Sequence, residues 1–306
     1  MTSSRSRSSR VSSGREVDLK RTSEPSEGRG EAPAGPSARG FAPPKAQHAF
    51  LDLHCHTSAS FDSLAAPAAI LRAAATRGLT HLAITDHDRI DGALEARDRA
   101  GDAVPGVTVI VGQEIRTQAG DLIGVFLREA IPPGLAASEA IAAVREQGGL
   151  VGIAHPFDRF RGSLGRSEAS AFEVLAGSVD WIEAWNARLI VGDGNARAAE
   201  LAARLGVPGV AVSDAHTTIE VGIASTTVRG DPSTPDGLRA ALAGQLELVT
   251  GRASAYVRLL SPAAKLVQRA RGRGRVRILG PAARRGVASV HGEPVDDTPP
   301  DSVPDR

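Results

Sequence analysis

The 306-residue sequence predicts an α/β protein whose strands close, or nearly close, into a barrel. Three observations carry this expectation. Short runs of Val, Ile, Leu and Ala recur through the middle of the chain, helix-like stretches separate most of them, and the titratable residues of unusual spacing stand at the C-terminal ends of the runs. Strands alternating with crossover helices imply a parallel sheet. Seven strands in a segment of this length suit a distorted seven-stranded (βα) barrel, with an open doubly wound sheet as the alternative.

The strand-like runs are AFLDLHCH (49–56), LTHLAITDH (79–87), VTVIVGQEI (107–115), DLIGVFL (121–127), GLVGIAHP (149–156), VDWIEAWNA (179–187) and VPGVAVSDAH (207–216). Helical stretches fall at 67–78, 90–100, 138–149, 168–177 and 194–206. Proline opens the first of them and glycine closes most, as helix ends prefer. Residues 1–47, rich in Ser, Arg, Gly, Pro and Glu, bury too little apolar surface to offset ordering entropy and are expected to be disordered. The end of the chain, from Gly292, has the same character, and the segment between, SPAAKLVQRARGRGRVRILG (261–280), starts helix-like and becomes an arginine run.

Composition narrows the function. Hydrophobic residues make up 42% of the chain and aromatics only 3%, so the core must be aliphatic. A net charge of +1 gives no whole-protein attraction to nucleic acid, which leaves partners to be argued from sites. The single cysteine, Cys55, excludes an internal disulfide and fits a reducing compartment. With no signal-like apolar segment and no run of about 20 apolar residues, the expectation is a cytoplasmic protein without a membrane span.

The polar residues at the strand ends are His54 and His56, Asp86 and His87, Glu114, His155, Asn186, Asp214 and His216. That rim is where parallel α/β barrels build active sites. Positions i and i+2 of a strand face the same way, so His54 and His56 converge while Cys55 points away, and Asp214 and His216 repeat the spacing. Imidazole and carboxylate together suit zinc, manganese or iron. His48, His81 and His291 carry no such pattern and read as structural or flanking residues.

DLHCHTSASFDS, GLTHLAITDHDRIDGALEA, GQEI, IAHPF and VSDAH stand in the order and at spacings compatible with the PHP (polymerase and histidinol phosphatase) family, which the chain resembles over roughly residues 49–255. The resemblance implies a PHP domain over 48–260; the basic C-terminal extension, 261–306, reads from its composition as partly helical and then disordered. The resemblance also implies two to three divalent ions (Mn, Zn or Fe). One would be bound by His54, His56, Glu114 and Asp214, a second by Glu114 and His155, and a third by Asp62, His87 and His216. The second ion is one protein ligand short, with Asn186 or Glu183 as candidates, and Asp86 is assigned to orienting a histidine. Metal-dependent amidohydrolases also open with His-x-His, but many bridge their metals with a carbamylated lysine, and no lysine lies between Lys45 and Lys265.

The implied activity is phosphate-ester hydrolysis of a nucleotide, short oligonucleotide or phosphorylated small molecule, with Glu114, Asp214 and His216 as catalytic residues. Arg159, Arg161 and Arg188 follow site residues and suit phosphate recognition. Histidinol-phosphate hydrolysis and a non-catalytic, metal-stabilised interaction module are the alternatives. No sequence feature sets the oligomeric state.

Overall fold

A computed structural model describes residues 48–159, 163–164 and 169–276. The N-terminal tail and the end of the C-terminal extension, both expected to be disordered, lie outside these residues, as does Arg161. All seven anticipated strands form: β1 (His48–Asp52), β2 (His81–Ile84), β3 (Thr108–Arg116), β4 (Asp121–Val125), β5 (Leu150–Ile153), β6 (Trp181–Asn186) and β7 (Gly209–Val212). Two more, β8 (Ala224–Arg229) and β9 (Glu247–Thr250), extend the sheet beyond β1 in the order β7-β6-β5-β4-β3-β2-β1-β8-β9.

The five helical stretches appear as α1 (Pro67–Thr76), α2 (Asp91–Ala103), α3 (Ala137–Glu146), α4 (Ala169–Ala176) and α5 (Gly194–Leu205). α1 has Pro67 in its first turn, and α5 stops at Gly206, whose φ of 65° is cheap only for glycine. α6 (Pro235–Leu242) is capped by Thr234, whose hydroxyl accepts the Gly237 N–H. α7 (Ala255–Ala270) begins earlier than the sequence suggested and contains Pro262.

The sheet is not wholly parallel, and this corrects the expectation from strand–helix alternation. β1–β2, β2–β3, β5–β6 and β6–β7 pair in parallel, whereas β4 is antiparallel to both β3 and β5. The reason is local: no helix separates β3 from β4, only a turn in which the Thr117 N–H and hydroxyl both bond Gly120 O. A connection that short can join only antiparallel strands. β8 likewise runs antiparallel to β1.

The edges of the sheet approach each other. Beyond the regular strands, Cys55 bridges Ala215 in parallel, and Thr226 of β8 accepts the Ala211 N–H and donates to Ala211 O. Buried Asp52 accepts N–H groups from Ser213, Gly222 and His54, tying the end of β1 to the segment after β7. The result is a nearly closed barrel. One apolar cluster gathers Leu51, Leu53, Ile110, Ile123, Leu150, Trp181 and Val212 from facing strands, and another packs the other side of the sheet against the helices. Leu53 belongs to the first and Cys55 to the second, so the alternation changes phase between them, with His54 and His56 turned to the barrel mouth.

Candidate metal centre

Glu114 lies at the middle of the mouth. Its Oε1 is 3.0 Å from His155 Nε2, and its Oε2 lies 3.3 Å from both His54 Nε2 and His56 Nε2 and 3.0 Å from His87 Nδ1. Around it the side chains fall into three groupings that could each hold an ion: His54, His56 and Asp214; Glu114, Asp121 and His155; and His56, Asp62, His87 and His216. The first lacks the Glu114 that the sequence expectation included, and the third adds His56 to the expected Asp62, His87 and His216. The second contains a residue that the expectation missed.

Asp121 is 3% exposed and opens β4. Ligands were sought at the C-terminal ends of strands, and Asp121 is at an N-terminal end. Because β4 runs backwards, its start lies beside the end of β3: Arg116 pairs with Asp121 and Glu114 with Ile123. Asp121 and Ile123 are two residues apart and face the same side. Asp121 therefore stands diagonally from Glu114 on the ligand face. The hairpin supplies the carboxylate that the second grouping lacked.

The surrounding bonds orient these ligands. His54 Nδ1–H donates to Glu183 Oε1 at 2.6 Å, which directs Nε2 at His56, Glu114 and Asp214. His216 Nδ1–H donates to the Asp214 carbonyl at 2.9 Å, leaving Nε2 to face Asp62 Oδ2 at 3.3 Å. A carboxylate or carbonyl holding the far nitrogen is the usual support of a metal-bound histidine. Glu183 Oε2 also accepts the His155 backbone N–H and the Asn186 amide. In a regular strand, residues 183 and 186 would face opposite sides, but β6 shifts register between Glu183 and Trp185, and this bulge brings both inward. His155 and Asp214 have positive φ, 27° and 52°, a strained conformation for residues with side chains.

Electrostatics test whether cations fit. Asp62, Glu114, Asp121, Glu183 and Asp214 are each at most 5% exposed, a density of buried negative charge that needs positive partners. His54 Nε2 and His56 Nε2 are 3.0 Å apart, too close for two lone pairs without a proton or metal cation between them. Without ions, protons take that place. Burial opposes a charge on His54, but Glu183, Asp214 and Glu114 outweigh it and raise its pKa well above the usual value. Burial opposes a charge on His87 too, yet Glu114 and Asp62 push it to about 9. Glu114 is held well below the ordinary carboxyl range despite burial, by His87 and His54. Asp121 goes the other way, to about 6, through burial and the charge of Glu114. His216 is lowered to about 3 by burial, Arg188 and His56. The donor set suits divalent ions.

The other residues singled out in the sequence lie around these groupings. Asp86 touches no histidine in a hydrogen bond; its two oxygens accept the Thr57 N–H at 2.6 Å and hydroxyl at 2.7 Å, so it fixes the backbone just after His56. Gly92 of α2 is required beside it, since a Cβ there would come within 2.2 Å of Asp86 Oδ2 and 2.3 Å of Thr57 Oγ1. Asn186 donates to Glu183 and to Asp214 Oδ2, and its oxygen accepts the Arg188 N–H, which makes it a tether between carboxylates. Arg188 is 8% exposed and turned towards Glu220 and the Ser261 hydroxyl. Arg159 is exposed in the segment after β5. Cys55 packs in the apolar cluster and enters none of the groupings.

Fold and donor set together define an α/β barrel with a His/carboxylate centre able to hold several ions. The PHP domain model matches residues 52–191 and the PHP-associated model residues 192–245, and the chain belongs to the PHP family. It is 40% identical over 124 residues to an uncharacterized protein of Methanocaldococcus jannaschii, covering 37% of this chain and 71% of that one. It is 33% identical over 100 residues to a 5′-3′ exoribonuclease of Haemophilus influenzae, covering 31% and 35%. A two-domain Bacteroides vulgatus protein containing a predicted PHP-like metal-dependent phosphoesterase has a similar fold, with a TM-score of 0.55 and 20% identity over 67% of this chain and 65% of that one.

Proposed function

We propose that the protein is a metal-dependent phosphoesterase that hydrolyses a phosphate ester of a nucleotide or of the 5′ end of a short oligonucleotide. The observation that carries this reading is Glu114, whose two oxygens stand between His155 on one side and His54, His56 and His87 on the other. A carboxylate shared in this way can hold cations close together. Divalent ions in such a site lower the pKa of water and neutralise the oxygens of an in-line phosphoryl displacement.

The chain's own residues set the geometry. His54, His56, Glu114 and Asp214 would hold one ion; Glu114, Asp121 and His155 a second; and Asp62, His87 and His216 a third, with His56 close to it. Glu183 and Asn186 fix His54 and Asp214. His216 acts as a ligand, because its Nδ1 proton is engaged by the Asp214 carbonyl and burial disfavours its cationic form.

Beside the third grouping lies a cavity of about 290 Å³, lined by Asp62 and His216 and by Leu64, Thr217, Leu260 and Ala264. Its size is at the lower end for small-molecule sites, roughly 300–1,000 Å³. We assign it to the group that carries the phosphate. The similarity to the exoribonuclease supports a nucleotide. Arg275 and Lys265, 5.3 and 5.5 Å from the Phe61 ring beside Asp62, supply positive charge for an oligonucleotide backbone.

The test is release of phosphate or nucleotide by manganese-loaded protein from nucleoside 3′,5′-bisphosphates, 5′-phosphorylated oligonucleotides and histidinol phosphate. Turnover of the first two is expected. Cleavage of histidinol phosphate alone, or no turnover at full metal occupancy, would overturn the proposal.

A further inference from the structure

α7 lies beyond the residues matched by either family model, yet it is bonded into the metal centre. The point of attachment is Gln268, which is fully buried. Its Nε2 is 2.7 Å from Ser58 O, 2.9 Å from Ser60 O and 2.7 Å from Ser63 O. These carbonyls belong to the turn that carries the chain from His56 to Asp62 and on towards α1. From the surface, Arg273 Nη1 donates to Ser58 O at 2.8 Å.

The same turn aims Asp62. Ser60 Oγ–H donates to Asp62 Oδ1 at 2.8 Å, which leaves Oδ2 facing His87 Nε2 at 3.2 Å and His216 Nε2 at 3.3 Å. Ser63 Oγ–H donates to the His216 carbonyl at 2.8 Å, so the turn also holds the last ligand of β7's extension. No strand pairing fixes residues 57–63. Their carbonyls converge on one point, and a buried amide nitrogen occupies it.

We infer that Gln268 is a positioning residue of the metal centre: by gathering the carbonyls of Ser58, Ser60 and Ser63, it sets the turn so that Asp62 meets His87 and His216. The inference rests on the reading of those three as ion ligands. The side-chain chemistry is selective, because three carbonyl acceptors need donors, and only the NH₂ end of the amide provides them, its two N–H groups shared among the three oxygens. The other end, Oε1, is buried and has no hydrogen-bond partner among the described residues. α7 is thereby part of the site, not an appendage to the barrel.

Gln268→Glu tests this, since it keeps shape and volume while placing an acceptor against acceptors. Two readouts are compared with the wild type: manganese titration with metal content per chain, and hydrogen exchange of residues 57–64. The expected result is about 10- to 100-fold weaker binding of one ion, the usual consequence of losing a residue that supports a ligand. Exchange should accelerate in 57–64 while β2, β3 and β5 keep their protection. Arg273→Ala, at an exposed residue whose loss spares the core, should shift both readouts the same way by less.

Wild-type titration and wild-type protection in Gln268→Glu would overturn the inference. So would a uniform loss of protection throughout the barrel with equal weakening of every ion, which would mark Gln268 as a general packing residue. A wild-type protein that binds no ion would refute the ligand reading and the positioning role with it. The exchange comparison would then still show whether Gln268 clasps the turn.

Discussion

Two of the ion groupings are built in opposite ways. Glu114, Asp121 and His155 come from β3, β4 and the end of β5, and sheet register sets their mutual positions. Asp62, His87 and His216 come from a turn and two strand ends, and the turn is held by side chains from the far end of the described chain. In the first, ladder hydrogen bonds shared by many residues set β3 against β4. The second depends on a few named contacts. Ligands fixed by strands should tolerate changes outside the sheet, whereas Asp62 should be sensitive to α7.

The largest effect is expected where the groupings meet. Glu114→Gln should abolish turnover and remove at least one ion per chain while the barrel persists, measured by elemental analysis and circular dichroism. Retained metal content would separate Glu114 from both ions assigned to it, the one with His54, His56 and Asp214 and the one with Asp121 and His155.

Next, Asp121→Asn should release the ion of the strand-built grouping and leave the one near Asp62, with metal binding weakened by more than the ~10- to 100-fold typical of supporting residues. Its stability should move the opposite way in the ion-free protein. The Asp121 carboxyl titrates near 6 when folded, above its ordinary value, so its charged form destabilises the fold once pH exceeds that range. Ion-free Asp121→Asn should therefore melt higher than wild type at pH 7, and the gain should fade as pH falls towards 4. A lower melting temperature at pH 7 would contradict the burial argument.

Glu183→Gln should be milder. The amide oxygen can still accept from His54 but without charge, while the NH₂ meets the His155 N–H and the Asn186 amide, both donors, and one ion should bind about 10- to 100-fold more weakly. The smallest effect belongs to Cys55→Ser, outside both groupings: metal content and turnover unchanged, with about 1–3 kcal/mol of stability lost to a buried hydroxyl in apolar surroundings. Loss of an ion in that variant would show that Cys55 faces the mouth.

The placement of side chains was legible in the sequence where strand period governs it. His54 and His56, Asp214 and His216, and Glu114 were legible because alternate positions at a strand end share a face and polar residues there need a reason. Sequence reasoning failed where direction mattered. The runs at 107–115 and 121–127 have no helix between them, a sign of a hairpin that was available, yet Asp121 was passed over at the wrong end of its run. Glu183 was weighed only as a ligand, because a bulge is invisible to strict alternation. Gln268 gave no signal, since its partners are main-chain carbonyls, and every residue has one of those.

The Gln268 contacts have a consequence for folding. They join residues 205, 208 and 210 positions apart. Contacts of that separation form after most of the chain has been ordered, because the entropy of closing so large a loop must be offset by structure already in place. A growing chain can pair β1 with β2 and β2 with β3 long before α7 exists, so the barrel should acquire its shape before it acquires its final ligand geometry. In the finished protein the sequence runs in reverse. The clasp between α7 and the turn should open before the strands do, a local excursion that exposes Asp62 while the strands stay paired.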